Sequence, residues 1–329
     1  MPTIVDVARR AGVSPTTVSH VINQTRYVSP PVAERVRQAM TDLRYQPHGV
    51  ARSLRRRRTH SLGMVVPDAA NPFFAEVARG VETSAFALGY TVILCNSDGD
   101  LLKEQAYLDV LMEKRVDGIV FVAAGESHEH IQTLVEREIQ VVVTDREMAG
   151  LEVDRVLVDN FDGGRQAAAH LIYHGHRRIA CITGPHDLTP SAERYRGYCR
   201  ALDDAGIRHD PGLIVHGDFH TDSGYLAVAE LLELPDRPTA IFACNDLMAI
   251  GVMAAVQEAG LRIPRNMAVV GFDDIALASY SIPRLTTVAQ PSQKMGELAA
   301  QLLIARIENP NRAAERHLLP TRLVIRESA

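Results

Sequence analysis

Long apolar runs are missing from this sequence. No uninterrupted stretch reaches the roughly 20 apolar residues that a membrane-spanning helix needs. The N-terminus, MPTIVDVARR, has neither the apolar core nor the adjacent cleavage site of an export signal. A cytoplasmic protein is expected. Cysteine is scarce: Cys95, Cys181, Cys199 and Cys244 are far apart and lack metal-ligand spacing, which predicts buried reduced thiols and no disulfide framework. No GxGxxG follows the first strand-like run, and neither GxxxxGK(S/T) nor a GxSxG nucleophile elbow occurs. His170 and His174 lie four apart on a helix without a third ligand nearby, and read as exposed side chains near its end. The stretch NSDGD, residues 96–100, lacks the sixth-position glycine and terminal Glu of a calcium loop and reads as a turn. Asp273 and Asp274 have no activated nucleophile beside them, so an enzyme ranks well behind a binding function. Neither a cofactor nor a metal is expected.

Basic charge is concentrated where the rest of the chain lacks it. The first sixty residues hold eleven Lys+Arg against three Asp+Glu, whereas the remaining 24 basic residues face 37 acidic ones. A head of net charge +8 therefore precedes a body of net charge −13. Such asymmetry points to a polyanion-binding module fused to a domain with another task. At 329 residues, two or three domains are expected, each with its own interior.

The head reads as three short helices. Thr3 with Asp6 makes a capping-box start for a helix through Ala11, and Gly12 stops it. Ser14 caps a second helix, with Pro15 in its first turn. Ser29-Pro30 repeats the signal for a third, whose Val32, Val36, Met40 and Leu43 share a face. Two short helices joined by a tight turn, closed by a third, make a helix-turn-helix, whose second helix enters the DNA major groove. Thr16, Thr17, Ser19 and His20 put short polar groups on that helix.

From residue 60 onward, strand-like runs alternate with helical ones: LGMVV, TVILC, GIVFV, VVVTD, RVLVDN, RIACITG, LIVHG, AIFAC and AVVGFD. Alternation of this kind implies α/β architecture with parallel sheets, here two wound lobes with a cleft between them. Ligands in such sheets bind beyond the carboxyl ends of the strands. Those ends carry Asn71 with Phe73 and Phe74, then Asp145 with Arg146, Asn245 with Asp246, and Asp273 with Asp274. Carboxylates that accept from hydroxyls, an arginine that donates and aromatic faces together suit a polyhydroxylated ring. Asn245 and Asp246 also suit a helix cap, and Phe73 suits a core.

DVARRAGVSPTTVSHVIN and the helix after it resemble the head of the LacI/GalR (lactose and galactose repressor) family, and the resemblance continues to the last residue. It implies a helix-turn-helix head over 1–45, a hinge segment over 46–59, and a two-lobed periplasmic-binding-protein-like body over 60–329. Lobe 1 takes about 60–159 and 290–320, lobe 2 about 160–289 and 321–329. In the family the hinge becomes a helix on DNA and wedges a leucine into the minor groove. Leu54, in VARSLRRRR, matches that leucine, with Arg52 and Arg55 beside it. An apolar wedge unstacks a base step while arginines meet phosphate or the narrow groove. Five arginines in residues 52 to 58 repel one another until phosphate neutralises them. Gly49 departs from the family's alanine, and glycine costs a helix about 1 kcal/mol. Thr3, Ser14 and Asn23 complete the expected DNA-contacting set.

Carried over by motif, the effector contacts are Asn71, Phe73 and Phe74 in NPFF, the Asp145-Arg146 pair, Arg194 in SAERYRGY, Phe219 in GDFHTDSGY, Asn245 in CNDLMAIG, Asp273 in GFDD and Gln290 in TTVAQP. Within the family the resemblance is nearest to ribose repressors, in TTVSHVIN, GYTVILCN, KRVDGI, RIACITGP and DLTP. Leu188 and Pro190 stand where purine repressors place base-recognising polar groups, which speaks against a purine corepressor. Arg146 departs from the tryptophan of enteric ribose repressors and purine repressors. The resemblance thus implies a homodimeric repressor of sugar-utilisation genes on a pseudo-palindromic operator, released by ribose or a related pentose. A purine- or phosphosugar-corepressed regulator is the alternative, and a sugar-processing enzyme is third. No leucine heptads follow the last strand-like run, so a dimer is expected in preference to a tetramer.

Overall fold

The structure, a computed structural model, describes residues 2–23, 25–45, 58–122, 129–148 and 150–329. Two compact units divide the chain, one ending at Thr59 and one running from His60 to Ala329.

The first unit holds α1 (Ile4–Ala11), α2 (Pro15–Asn23) and α3 (Pro30–Asp42). The expected capping box is formed: Thr3 Oγ1 accepts from the Asp6 amide at 3.3 Å, and Asp6 Oδ2 accepts from the Thr3 amide at 2.9 Å. Gly12, at φ 65°, ends α1 in the left-handed conformation that glycine adopts at least cost. Ser14 Oγ accepts from the Thr17 amide at 3.1 Å and opens α2. Ser29 makes no such cap on α3. Pro30 and Pro31 offer no N–H, and the Val32 amide already donates to the Ser29 carbonyl at 3.0 Å. The buried face of α3 also differs from expectation. Ala33, Val36 and Ala39 enter the core beside Val7, Ala8, Ala11 and Val18, with Met40 and Leu43 packed half-buried against them, while Val32, equally half-buried, does not join the cluster. Three short helices approach most closely along their small residues, which draws the alanine stripe inward.

The second unit begins with β1 (Ser61–Val66), α4 (Pro72–Ala87), β2 (Thr91–Asn96), α5 (Leu101–Glu113), β3 (Gly118–Phe121), α6 (Glu129–Glu136), β4 (Gln140–Thr144) and β5 (Asp154–Val158). It continues with α7 (Asn160–Tyr173), β6 (Ile179–Thr183), α8 (Thr189–Asp204), β7 (Ile214–His216), α9 (Thr221–Glu233), β8 (Ala240–Ala243), α10 (Asp246–Glu258) and β9 (Ala268–Asp273). After β10 (Thr286–Ala289), helix α11 (Ser292–Glu308) and the short strands β11 (Arg316–Leu319) and β12 (Arg322–Val324) complete it. Two six-stranded sheets result, ordered β11-β5-β4-β3-β1-β2 and β12-β10-β9-β8-β6-β7. The chain therefore passes between sheets three times, after β5, β10 and β11.

All pairings are parallel except β10 with β12, which is antiparallel and departs from the wholly parallel expectation. β12 does not pair with β11: β11 runs parallel to β5 and ends at the carboxyl edge of its own sheet, and only two residues later the chain enters the other sheet beside β10 and runs against it. Strands such as GIVF and AIFA are apolar throughout, IACIT is apolar up to its last residue, and all three are buried on both faces, as parallel strands wrapped by helices must be. Three helix pairs pack through reciprocal glycines. A Cβ on Gly164 of α7 would lie 2.1 Å from the Arg194 carbonyl oxygen, and one on Gly197 of α8 2.1 Å from that of Phe161. Gly80 with Gly296, and Gly224 with Gly251, repeat the arrangement between α4 and α11 and between α9 and α10. Backbone thus meets backbone, which fixes where each helix starts relative to its neighbour.

His170 is buried on the inner stripe of α7, contrary to the expectation of an exposed side chain. Its neighbours Ala167 and Leu171 on the core face carry it inward, and burial holds its imidazole below the usual range. His174, at a ring distance of 4.6 Å, is exposed as expected. Cys95, Cys181 and Cys244 are buried free thiols, and Cys199 is half-buried. No helix among the described residues is long and apolar enough to cross a membrane.

Candidate functional site

Residues following the carboxyl ends of the strands line a cleft of about 420 Å³. β1 delivers Asn71, Phe73 and Phe74; β4 delivers Asp145 and Arg146; β8 and β9 deliver Asn245 and Asp273. Arg194 from α8 and Phe219 beyond β7 complete nine of the ten side chains that the sequence singled out. The tenth, Gln290, does not line the cleft but donates from Nε2 to Asp273 Oδ1 at 2.7 Å, holding that carboxylate from behind.

Each side chain is set by local structure. Asn71 caps α4, its Oδ1 accepting from the Phe73 amide at 3.0 Å, and so aims the two phenylalanines, whose rings meet edge to face at 5.0 Å. Asn245 caps α10 by accepting from the Met248 amide at 2.9 Å, while its Nδ2 donates to the Phe219 carbonyl at 2.8 Å. The capping role and the cleft position are therefore both real. Phe219 stands at φ 70°, a left-handed conformation uncommon for a bulky residue. That bond holds it, and its ring occupies the space over Gly184, where a Cβ would meet Phe219 Cζ at 2.2 Å. Asp98, Asp145 and Asp273 have positive φ as well, so four cleft residues hold this uncommon backbone conformation.

Arg194 is the hub. Its Nε donates to Asn160 Oδ1 at 2.8 Å, its Nη1 donates to the Cys244 carbonyl at 2.7 Å and lies 3.6 Å from Asp273 Oδ1, and its guanidinium stacks 3.8 Å above the Phe272 ring. Arg146 Nε lies 3.8 Å from Asp145 Oδ2. Burial pushes the Asp145 carboxyl up, against the pull of Arg146 and Arg194. Asp273 is pushed up to about 7, first by burial and further by Asp145, with Arg194 and the Gln290 hydrogen bond opposing. Asp145 Oδ1 and Gln290 Oε1 are buried acceptors that take no hydrogen bond from the described residues.

Asp246, beside the cleft in sequence, is wholly buried behind it: Thr287 Oγ1 donates to it at 2.5 Å and the Ile275 amide at 2.9 Å. Asp274 turns away to Arg326 at 2.6 Å. Sequence reasoning missed Asp68, Asp98, Asp187, Asp218 and His220, which also line the cleft. Scanning past each strand end for any carboxylate, including those in turns, finds them. NSDGD is a turn as expected, and in addition Asp98 faces the cleft while Asp100 caps α5. Six aspartates thus line the cleft against two arginines and His220. Among the described residues no group of three or more His, Cys, Asp or Glu is arranged to hold a metal ion.

In the head, Thr16, Thr17, Ser19, His20 and Asn23 project from α2 on sides other than the buried Val18. Asn23 Nδ2 donates to the Ser19 carbonyl at 2.9 Å, and His20 Nδ1 lies 2.8 Å from Thr25 Oγ1. The hydroxyls of Thr3 and Ser14 are engaged in their caps. Arg52, Leu54 and Arg55 lie outside the described residues.

Comparison with known proteins agrees with this architecture. Residues 3–48 match the family model described as bacterial regulatory proteins, lacI family, and residues 168–329 match that of a periplasmic binding protein-like domain. The ribose operon repressor of Escherichia coli (strain K12) is 43% identical over 331 residues, covering 100% of both chains. The HTH-type transcriptional repressor PurR of Vibrio atlanticus is also 43% identical, over 94% of this chain and 93% of its own. Among solved structures, a LacI family transcriptional regulator from Enterococcus faecium with bound ribose is 33% identical, with a TM-score of 0.76 over 82% of this chain and 98% of that one. A lac repressor dimer bound to operator and the anti-inducer ONPF is 28% identical, with a TM-score of 0.89 over 99% of this chain and 98% of that one.

Proposed function

Because the chain belongs to the lacI family of bacterial regulatory proteins, we propose that it is a homodimeric, sequence-specific repressor of sugar-utilisation genes. Ribose or a related pentose enters the cleft and releases it from a pseudo-palindromic operator in the cytoplasm. The observation that carries this reading is the chemistry of the cleft. Six carboxylates accept from hydroxyls, and Phe73, Phe74 and Phe219 offer faces to a ring's C–H surface. Asn71, Asp145, Arg146, Arg194, Asn245 and Asp273 are the polar contacts proposed, with Gln290 supporting Asp273. A phosphosugar fits poorly, since both guanidiniums already face Asp145 or Asp273 and the surrounding charge repels an anion. The ribose-bound Enterococcus regulator and the Escherichia ribose operon repressor favour the pentose. The purine repressor relative keeps a purine corepressor as the second reading, against which the apolar Leu188 and Pro190 stand in the cleft wall.

On the DNA side, Thr16, Thr17, Ser19, His20 and Asn23 of α2 read base edges, and Thr3 and Ser14 meet the backbone through their helix starts. Leu54 wedges between base steps, with Arg52 and Arg55 on phosphate or in the minor groove. Exposed apolar side chains in lobe 1, Phe86, Leu88, Leu94 and Leu102, supply part of the dimer contact. Tyr280 and Ile282 in lobe 2 supply a second part.

A calorimetric titration of the purified protein with D-ribose, with hypoxanthine alongside, tests the reading. Saturable binding of ribose, one per chain, is expected. Silence with ribose excludes it as the effector, and heat from hypoxanthine reverses the expected sign of regulation.

A further inference from the structure

A second cavity, of about 440 Å³, lies behind α8 and shares no lining residue with the cleft. The helix is the common wall: Pro190 and Arg194 face the cleft, whereas Ser191, Tyr195 and Tyr198 face the groove. The opposite wall is built by the turn Pro211–Leu213 and by β7.

We propose that this groove is a second ligand site, built for a small aromatic carboxylate, and that its occupancy is felt in the cleft through α8. Its floor is apolar and flat. The Tyr195 and Tyr198 rings stack at 6.1 Å with planes 23° apart, and Ile214 and Pro211 extend the surface they begin. Tyr198's hydroxyl donates to the Ile179 carbonyl at 2.7 Å, so that ring presents itself to the groove with its polar demand met elsewhere. His186, His209, His216 and Arg196 surround the floor. Arg196 pairs with Glu193 at 3.2 Å and His209 with Asp203 at 2.9 Å, both exposed pairs of the kind worth little in water, so a carboxylate seated on the floor can take over their donors. The groove has a single carboxylate, Asp210, and its oxygens accept from Arg178 Nη1 and the Gly212 amide, both at 3.0 Å. A planar ring with one negative charge satisfies both halves of this lining. The same ligand is repelled by the six aspartates of the cleft, so charge alone separates the two sites.

Both walls continue into the cleft. Along α8, Arg194 lies one residue from Tyr195 and carries the bonds to Asn160, Cys244 and Asp273. Beyond β7, His216 sits 3.1 Å from Thr183 Oγ1 on the groove side, and the chain reaches Phe219 in the cleft three residues later. A ligand that tilts α8 or the end of β7 therefore moves cleft contacts.

Calorimetric titration of the full-length protein with salicylate tests the site, with benzyl alcohol as the uncharged control. Ala192→Phe fills the groove from α8, and Arg196→Glu reverses the exposed rim charge. Saturable salicylate binding is expected, weakened about tenfold or more in Arg196→Glu, as loss of a charge-assisted hydrogen bond predicts. The filled variant should not bind, and benzyl alcohol should bind neither protein. Should Ala192→Phe fail to fold, Arg196→Glu decides alone. Absence of salicylate binding, binding unchanged in the variants, or competitive displacement by ribose overturns the site. Coupling is read separately: salicylate must shift ribose affinity by the factor with which ribose shifts salicylate affinity, and an unmoved ribose affinity overturns that half. Failure of ribose itself to bind sinks the proposed pentose effector and leaves the groove titration readable.

Discussion

Asp273 puts a proton at the centre of the cleft. Burial and the neighbouring Asp145 raise its carboxyl from the ordinary 3.8 to about 7, so near neutrality the folded protein retains a proton that the unfolded chain gives up. The stability from that extra proton affinity is full below the unfolded value and is lost as pH rises through about 7. Binding a neutral sugar makes the opposite demand, because only the ionised carboxylate accepts fully from a hydroxyl. Ribose affinity should therefore weaken as pH falls below about 7, and binding should release protons there, which titrations in buffers of different ionisation enthalpy detect. Asp273→Asn keeps an oxygen for Gln290 but removes the titration. It should abolish the step near 7 and cost about 1–3 kcal/mol of ribose affinity, the usual scale for a hydrogen bond to a charged group. An unaltered pH profile in that variant removes Asp273 from the effector contacts. Arg194 teaches a related lesson. Resemblance marks it as a cleft residue, but its bonds to Asn160 and the Cys244 carbonyl also make it a brace between elements, so Arg194→Ala should lower stability as well as response.

Helices and strands with one clear period were legible in advance, and those whose pattern mixes signals were not. The runs LGMVV, GIVFV, RIACITG and AVVGFD announced buried strands because both their faces are apolar. Helix α11 is one of those with mixed signals. In α11 the buried stripe contains Gly296, Ala299, Ala300 and even Arg306, so small residues and a charge hide the apolar period. The edge strands β11 and β12 are four and three residues long and half-exposed, too short for alternation to stand out. In the cleft, the strand-end rule and motif resemblance brought nine of ten side chains to one cavity. The left-handed backbone at Asp145 and Phe219 depends on tertiary contacts that no local pattern encodes, whereas the aspartates in turns follow strand ends and were open to the same rule. The charge buried in α11 has its own test. Arg306 donates to Asp154 in a bidentate pair at 2.6 and 2.8 Å and to the carbonyls of Arg312 and Ala313, tying the end of α11 to the start of β5. Asp154→Ala should destabilise the body by about 3–5 kcal/mol by leaving a buried guanidinium unpaired. Adding Arg306→Met should recover much of that loss, because the pair's desolvation then disappears with it. Urea denaturation of both variants measures it, and additive losses would show that the pair is not coupled.

At the scale of the molecule, a +8 head and a −13 body divide the labour: the head is drawn to phosphate, and the body is repelled by it. Operator affinity should thus fall steeply with salt, while ribose affinity barely changes, since the cleft takes a neutral ligand. Leu54→Ala should weaken specific operator binding and leave ribose affinity intact; equal operator affinity in that variant would remove the wedge. Linkage joins the two functions. If ribose lowers operator affinity through a coupling free energy of about 1–3 kcal/mol, operator must lower ribose affinity by the same factor, whatever the structural route. Ribose titrations with and without saturating operator DNA, set beside operator titrations with and without saturating ribose, give the two factors independently. Equality between 5- and 150-fold, the approximate span of that coupling range, is the expected result. A ribose affinity indifferent to operator would mean that sugar binding and DNA release are separate events, and an affinity raised by operator would turn the sugar from inducer into corepressor.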